Sequence, residues 1–389
     1  MNIHFAHTTF VTDGGEGITN NIVALKAALE RRGFQVSDDG PRAKLHQLNQ
    51  KTVRVQKSLE AIPFFFNALM GDPDDIVHFH LAVPNQALLV RLAACLARVP
   101  RRRRVGHLWN AIAEPEDLVI TGSASESRWH GLLNGSRFSA LGLEAFATVV
   151  VSSAHQERQL RKAGYAGTIS RIPNGVDVAR FSPADDTQRL SARQELGLPA
   201  DAQTIVYFGH LTPWKGVRHL IEAFAPVAAV HPAALLVIAR TSYGTEELVI
   251  RRRLAELGLT SRCVFLGKLD PACLLHAADA VVAPNVATVG TAVFPNVVLE
   301  TLAAGVPLVT TSVPTHREIL ADGVHGLLVP PAQPDPLARA LLELLASPAL
   351  RARLGAEGRG LAVRQFDWDK VAGGFAQLYS SLLPAARAA

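Results

Sequence analysis

Tyr207-Phe208-Gly209-His210-Leu211-Thr212-Pro213-Trp214-Lys215-Gly216 is the stretch on which the fold turns. A strand-like run from Thr204 to Gly209 leads into it, and a helix-like pattern from Val217 to Val230 leads out. Strand, glycine-bounded loop and helix in that order make half of a parallel β-α-β crossover. Lys215 stands just before the helix. An ammonium is badly placed beside the positive end of a helix unless an anion lies between them, so the pattern points to a diphosphate partner.

The same rhythm continues on both sides. Downstream, Leu235–Ile238, Val264–Leu266 and Ala280–Ala283 read as strands. A long loop, a helix from about Asn296, a strand from Val306 to Thr310 and successive helices from Pro334 follow. Upstream, Ile3–Ala6 reads as a first strand, and Ile18, Ile22, Leu25 and Leu29 keep helical spacing until Gly33. Ile76–Leu81, Arg104–Trp109 and Thr148–Ser152 are further strands, with helical patterns over Asn85–Ala97 and Ala154–Ala163. Ile172-Pro173-Asn174-Gly175-Val176-Asp177 breaks the alternation with turn residues and marks a domain boundary. The expected class is α/β, with two doubly wound parallel sheets facing a cleft and ligand-binding residues in the loops just after strands.

Composition narrows the function. The 389 residues are 48% hydrophobic and 19% charged, which excludes a disordered chain or a fibre. Cys95, Cys263 and Cys273 have no metal-ligand spacing and fit a reducing compartment. Met1-Asn2-Ile3-His4-Phe5 has no basic segment followed by a long apolar run, so no signal peptide is expected. Runs such as Ile62–Met70 fall well short of the ~20 residues that span a bilayer. The net charge is +5, and all of it falls in residues 1–175, which hold 20 Lys/Arg against 15 Asp/Glu. It gathers at Arg42, Lys44, Lys51, Arg54 and Lys57 and in Arg101-Arg102-Arg103-Arg104. Such a face attracts nucleic acid, anionic lipid or a phosphorylated substrate, or is simply solvated. No aromatic residues interleave it and it forms no known nucleic-acid module, so nucleic acid is the weakest of these.

Two more segments carry chemistry. Thr12-Asp13-Gly14-Gly15-Glu16-Gly17 links the first strand to the first helix, where glycines let a ligand approach backbone N–H groups closely. It matches neither G-x-G-x-x-G nor the P-loop pattern. In Phe294-Pro295-Asn296-Val297-Val298-Leu299-Glu300, the glutamate enters an otherwise apolar helix. A carboxylate there needs a partner: a ribose diol, or the dipole of the helix itself.

Together, Tyr207–Gly216, Phe294–Pro307, Gly323–Pro330 and Pro173–Asp177 resemble the retaining family 4 glycosyltransferases of the GT-B fold. The resemblance implies two Rossmann-like domains, 1–172 on the acceptor side and 173–366 on the donor side. A last helix over 367–389 would cross back onto the first domain near Phe366-Asp367-Trp368. It implies a cytoplasmic enzyme moving a sugar from a nucleoside diphosphate to a lipid-linked or glycan acceptor, peripheral on an anionic membrane face, with no metal or cofactor. By position, Lys215 and His210 would hold the diphosphate and Glu300 the ribose. Backbone at Asn296 and Val297, beside Phe294 and Pro295, would touch phosphates or sugar. Gly14 and Gly15 would close over the diphosphate and His107 would face the donor sugar. His80, Asn110 and Arg101–Arg104 are candidates for the acceptor side.

Two departures from the family pattern matter. Ala292 stands where a carboxylate usually grips sugar hydroxyls, and His210 replaces a usual arginine. They imply a changed sugar or phosphate clamp, or a non-catalytic sugar-nucleotide or partner-binding protein on the same fold.

Overall fold

The computed structural model describes residues 1–7, 17–39, 65–81, 86–109, 137–240, 245–288 and 294–383. The chain divides into two units. The first comprises Met1–Gly175 together with the residues from Trp368 on, and the second is built from Val176–Thr288 and Phe294–Asp367.

In the first unit the elements are β1 (Asn2–His7), α1 (Gly17–Arg31), β2 (Gln35–Asp39), β3 (Ile76–Leu81), α2 (Gln86–Ala93), β4 (Arg104–Leu108), α3 (Arg137–Leu143), β5 (Thr148–Val151), α4 (Ala154–Lys162) and β6 (Thr168–Arg171). The described strands run parallel in the order β2-β1-β3-β4-β5-β6. In β3 all six side chains are buried, as a central strand covered on both faces requires. Val77, Phe79 and Leu81 pack to one side with Ala87, Val90, Leu143 and Phe146. Ile76 packs on the other face with Ile3, Phe5, Val105 and the α1 stripe Ile22, Leu25 and Leu29.

The second unit contains α5 (Asp186–Glu195), β7 (Gln203–Gly209), α6 (Val217–Val230), β8 (Ala234–Arg240), α7 (Thr245–Glu256), β9 (Cys263–Leu266), α8 (Pro271–Ala277), β10 (Ala280–Ala283), α9 (Asn296–Ala303), β11 (Leu308–Thr311), α10 (Pro314–Ile319), β12 (Leu327–Val329), α11 (Pro334–Ala346) and α12 (Pro348–Leu361). Its described strands are again parallel, ordered β12-β11-β10-β7-β8-β9. Val217, Leu220, Ile221, Phe224 and Val227 form the apolar stripe of α6, which packs with Ile205, Leu236 and Ile238 of the sheet. A π-helical turn, Ala362–Phe366, follows α12, and the Val176 N–H donates to the Phe366 carbonyl at 2.7 Å. The last helix, α13 (Trp368–Ser381), belongs to the first unit, where Trp368, Val371, Phe375 and Tyr379 join the α1 face of the core.

These are the two doubly wound sheets expected from the alternation. The strand order of the second sheet positions its site. It places β10 between β7 and β11, so the loops after these three strands emerge side by side at one carboxyl edge.

Candidate active site

Lys215 closes the 3₁₀ turn Pro213–Lys215, directly before α6. Two contacts pin that turn to the loop after β10. The Val286 N–H donates to the Trp214 carbonyl at 2.8 Å. Gly216 lies in the left-handed region at φ 73°, with its backbone so close to Pro284 that a Cβ would fall 1.8 Å from the Pro284 carbonyl oxygen. The β10 loop is held in turn by β11: the Thr310 hydroxyl donates to the Ala283 carbonyl at 2.7 Å and the Thr311 hydroxyl to the Asn285 carbonyl at 2.5 Å. Lys215 is therefore carried on three stitched loops rather than on a free strand end. Burial pushes its ammonium down to about 8. A cation held this way gains most from an anion that restores its charge.

Glu300 is the fifth residue of α9, in the second turn, so the positive helix end does not account for it. It is half-buried. Burial raises its carboxyl to about 7, against the pull of the Arg180 guanidinium and with the help of Asp270, which is paired to Arg180 at 2.8 Å. A carboxyl at 7 in the fold but at 4.5 ordinarily costs nothing below pH 4.5, where it is protonated in both states, and lowers stability as pH rises between those values, the penalty being complete above 7. Glu300→Gln is accordingly expected to raise the stability of the free protein at pH 8 by about 2 kcal/mol, or roughly 5 °C in Tm, and to leave it unchanged at pH 4.5. Equal melting shifts at the two pH values would show that Glu300 ionises freely.

Other expected donor residues fall nearby. Pro295 caps α9, Asn296 and Val297 begin it, and Phe294 is buried edge-on to Phe366 at 6.0 Å. His210 is exposed in the loop after β7, and its carbonyl accepts the Tyr207 hydroxyl at 2.6 Å. Gly14, Gly15, Asn110, Ala292 and the basic residues 42–57 lie outside the described residues.

The first unit corrects two expectations. His80 and His107 lie within β3 and β4, fully buried, and not in loops after the strands. With His78 they bring one ring nitrogen each within 4.8 Å of one another, which raises the question of a metal. The chemistry of the set does not fit one. The Trp109 indole, which can only donate, gives its N–H to His80 Nδ1 at 3.2 Å, leaving the His80 proton on Nε2. The His78 ring stacks on His80 at 4.1 Å and 30°, and lies within 12° of parallel to His107. Burial takes the His107 imidazole down to about 3, so it is neutral. The three rings form a stacked core layer under Phe375 and Tyr379, with the Tyr379 hydroxyl 2.7 Å from His78 Nδ1.

The second half of the arginine run is likewise structural, while Arg101 and Arg102 are exposed. Arg103 pairs with Asp74 and is buried, and Arg104 donates to the Val99 carbonyl at 2.7 and 3.0 Å. Arg103 immediately precedes β4 and Arg104 opens it, at the amino edge of the sheet, opposite the edge where ligands bind in such folds.

One residue at the donor edge was missed in the sequence. His316, in α10, is completely buried, and the Lys215 ammonium acts on it. It lies five residues after β11, within a helix, and the sequence offers no signal beyond that position.

Comparison with known proteins gives the family. The model of the family "Glycosyl transferases group 1" matches residues 188–361. A Corynebacterium glutamicum GDP-mannose-dependent monoacylated alpha-(1-6)-phosphatidylinositol monomannoside mannosyltransferase is 30% identical over 303 residues, 71% of this chain and 77% of the relative. The chain belongs to the group 1 glycosyltransferases. A second relative of this transferase, the phosphatidyl-myo-inositol mannosyltransferase of Mycobacterium leprae, is 28% identical over 389 residues, 94% of this chain and 93% of that protein. Its fold is that of sucrose-phosphate synthase from Thermosynechococcus elongatus, with a TM-score of 0.78 at 23% identity over 98% of both chains. No helix among its described residues is long and apolar enough to cross a membrane.

Proposed function

We propose that this transferase moves a hexose, mannose before others, from a nucleoside diphosphate to a lipid-linked inositol-type acceptor, with retention and without a metal. The observation that carries the reading is Lys215. It is a half-buried cation with a lowered pKa, clamped at the same carboxyl edge as the half-buried carboxyl Glu300. An ammonium for the diphosphate and a carboxylate for the ribose are complementary to the two ends of a nucleoside diphosphate. The names of the relatives supply the donor and acceptor classes.

In this mechanism the bond from the sugar's anomeric carbon to the diphosphate oxygen breaks as the acceptor oxygen arrives on the same face. The acceptor hydroxyl proton passes to the departing phosphate oxygen. Lys215, His210 and the start of α9 stabilise the charge that develops there, so no divalent ion is required. The +5 surplus in residues 1–175 would favour an anionic lipid surface around the acceptor.

Melting curves with GDP, UDP and ADP, followed by turnover of the matching mannose and glucose donors on phosphatidylinositol vesicles in EDTA, test the reading. GDP should stabilise most, and the product should keep the donor's anomeric configuration. A strict manganese or magnesium requirement, an inverted product, or nucleotide binding without any transfer would overturn it.

A further inference from the structure

His316 sits three residues into α10, and its side chain is sealed from solvent. Two neighbours determine which of its nitrogens carries the proton. Nδ1 lies 2.8 Å from the Thr310 hydroxyl and 3.1 Å from the Thr311 carbonyl oxygen. The Thr310 hydroxyl already donates its hydrogen to the Ala283 carbonyl, so toward His316 it can only accept. A carbonyl oxygen can only accept as well. Both contacts therefore place the proton on Nδ1, and a neutral ring then presents Nε2 as a bare acceptor.

That Nε2 is buried and has no hydrogen-bond partner among the described residues. A buried acceptor without a donor is unfavourable, and such an atom commonly marks a missing ligand or water. The stitching of the three loops shows which donor is at hand. Thr310 and Thr311, which hold Nδ1, also hold the carbonyls of Ala283 and Asn285, and the same loop carries Val286, bonded to Trp214 beside Lys215. Burial and the Lys215 ammonium together keep the ring neutral, with a pKa near 4.

We propose that His316 is a positioning residue for Lys215: its Nε2 accepts a hydrogen bond relayed from the Lys215 ammonium through one water, and so aims the remaining N–H donors at the diphosphate. The role requires a neutral acceptor. A second cation would repel the lysine, and a carboxylate would compete with the phosphate for it. The inference rests on the reading of Lys215 as a diphosphate ligand, and the experiment separates the two.

GDP affinity is measured by calorimetry for the parent, His316→Asn, Lys215→Ala and the double variant, with a melting curve for each. Asparagine keeps a donor near the Nδ1 position for the Thr311 carbonyl and removes the Nε2 acceptor. His316→Asn should weaken GDP about tenfold in the parent and have no further effect in the Lys215→Ala background. His316→Gln, whose carboxamide oxygen reaches toward the lost Nε2, should return within about threefold of the parent, and it decides the matter alone if the asparagine variant does not fold. Equal weakening in both backgrounds, or no rescue by glutamine, would overturn the positioning role while leaving Lys215 at the diphosphate. Unchanged GDP affinity in Lys215→Ala would instead remove the diphosphate reading and this inference with it.

Discussion

Lys215→Ala is expected to lower sugar transfer by about 100-fold or more, because one charge-assisted contact at a developing anion contributes roughly 3 kcal/mol to the barrier. The loss should fall mainly on kcat. The diphosphate carries more negative charge on the leaving oxygen in the transition state than in the bound donor, so the missing ammonium matters most there. The free protein should lose no stability, because an ammonium held at about 8 by burial opposes the fold when charged and is not a source of it. Steady-state kinetics with the cognate donor and a melting curve at pH 7 check both statements. Transfer within a few-fold of the parent would take Lys215 out of the diphosphate site.

Gly216→Ala is expected to damage fold and site together. Alanine must accept φ 73°, and its methyl group would sit 1.8 Å from the Pro284 carbonyl oxygen. A left-handed alanine costs about 1–2 kcal/mol. The clash is with backbone, so a side-chain rotation cannot relieve it. Either the turn or the β10 loop must move by more than an ångström, breaking the bond from Val286 to Trp214. Forcing extra volume into a packed site adds about 1–3 kcal/mol. A total of about 3–4 kcal/mol should lower Tm by roughly 10 °C. The surviving folded molecules should bind nucleotide weakly, since Lys215 moves with the turn. A melting point within 2 °C of the parent, with normal nucleotide affinity, would mean that the loop yields freely.

How much of this was legible in the sequence differs between the middle of each sheet and its edges. The central strands β1, β3, β4, β5, β7, β8, β10 and β11 were read because burial on both faces makes them predominantly apolar, as in Ala280–Ala283. Of the edge strands only β9 was read, as Val264–Leu266, and β2, β6 and β12 were not. β2 is Gln-Val-Ser-Asp-Asp and β6 is Thr-Ile-Ser-Arg, and both alternate or face solvent. β12 is only three residues long. In the second unit the strand-then-loop pattern led to Lys215 and the start of α9, which the structure places after β7 and β10. In the first unit it misled, because an imidazole in a strand looks polar in a sequence but can be buried in a neutral stack. His78, His80 and His107 take that course beside Trp109. The arginine run misled for the opposite reason, since long side chains such as Arg104 can fold back onto carbonyls and be buried while charged. His316 escaped notice because its value comes from the tautomer imposed by Thr310 and Thr311, which no spacing reveals.

The placement of α13 has a consequence for biosynthesis. The face of the first sheet formed by Phe5, Ile76 and Val105 is completed by Trp368, Val371, Phe375 and Tyr379, almost at the other end of the chain. A ribosome releases Met1–Gly175 first, yet that unit cannot cover its core until residue 379 has left the exit tunnel. The second unit draws on one continuous span broken only near residue 290, and can close earlier. The leading unit therefore cannot complete its core before the span of the second has been synthesised, which departs from the usual order in which the leading domain folds first. The nascent first unit waits with an apolar sheet face exposed, and on that interval a chaperone or an aggregation partner would act.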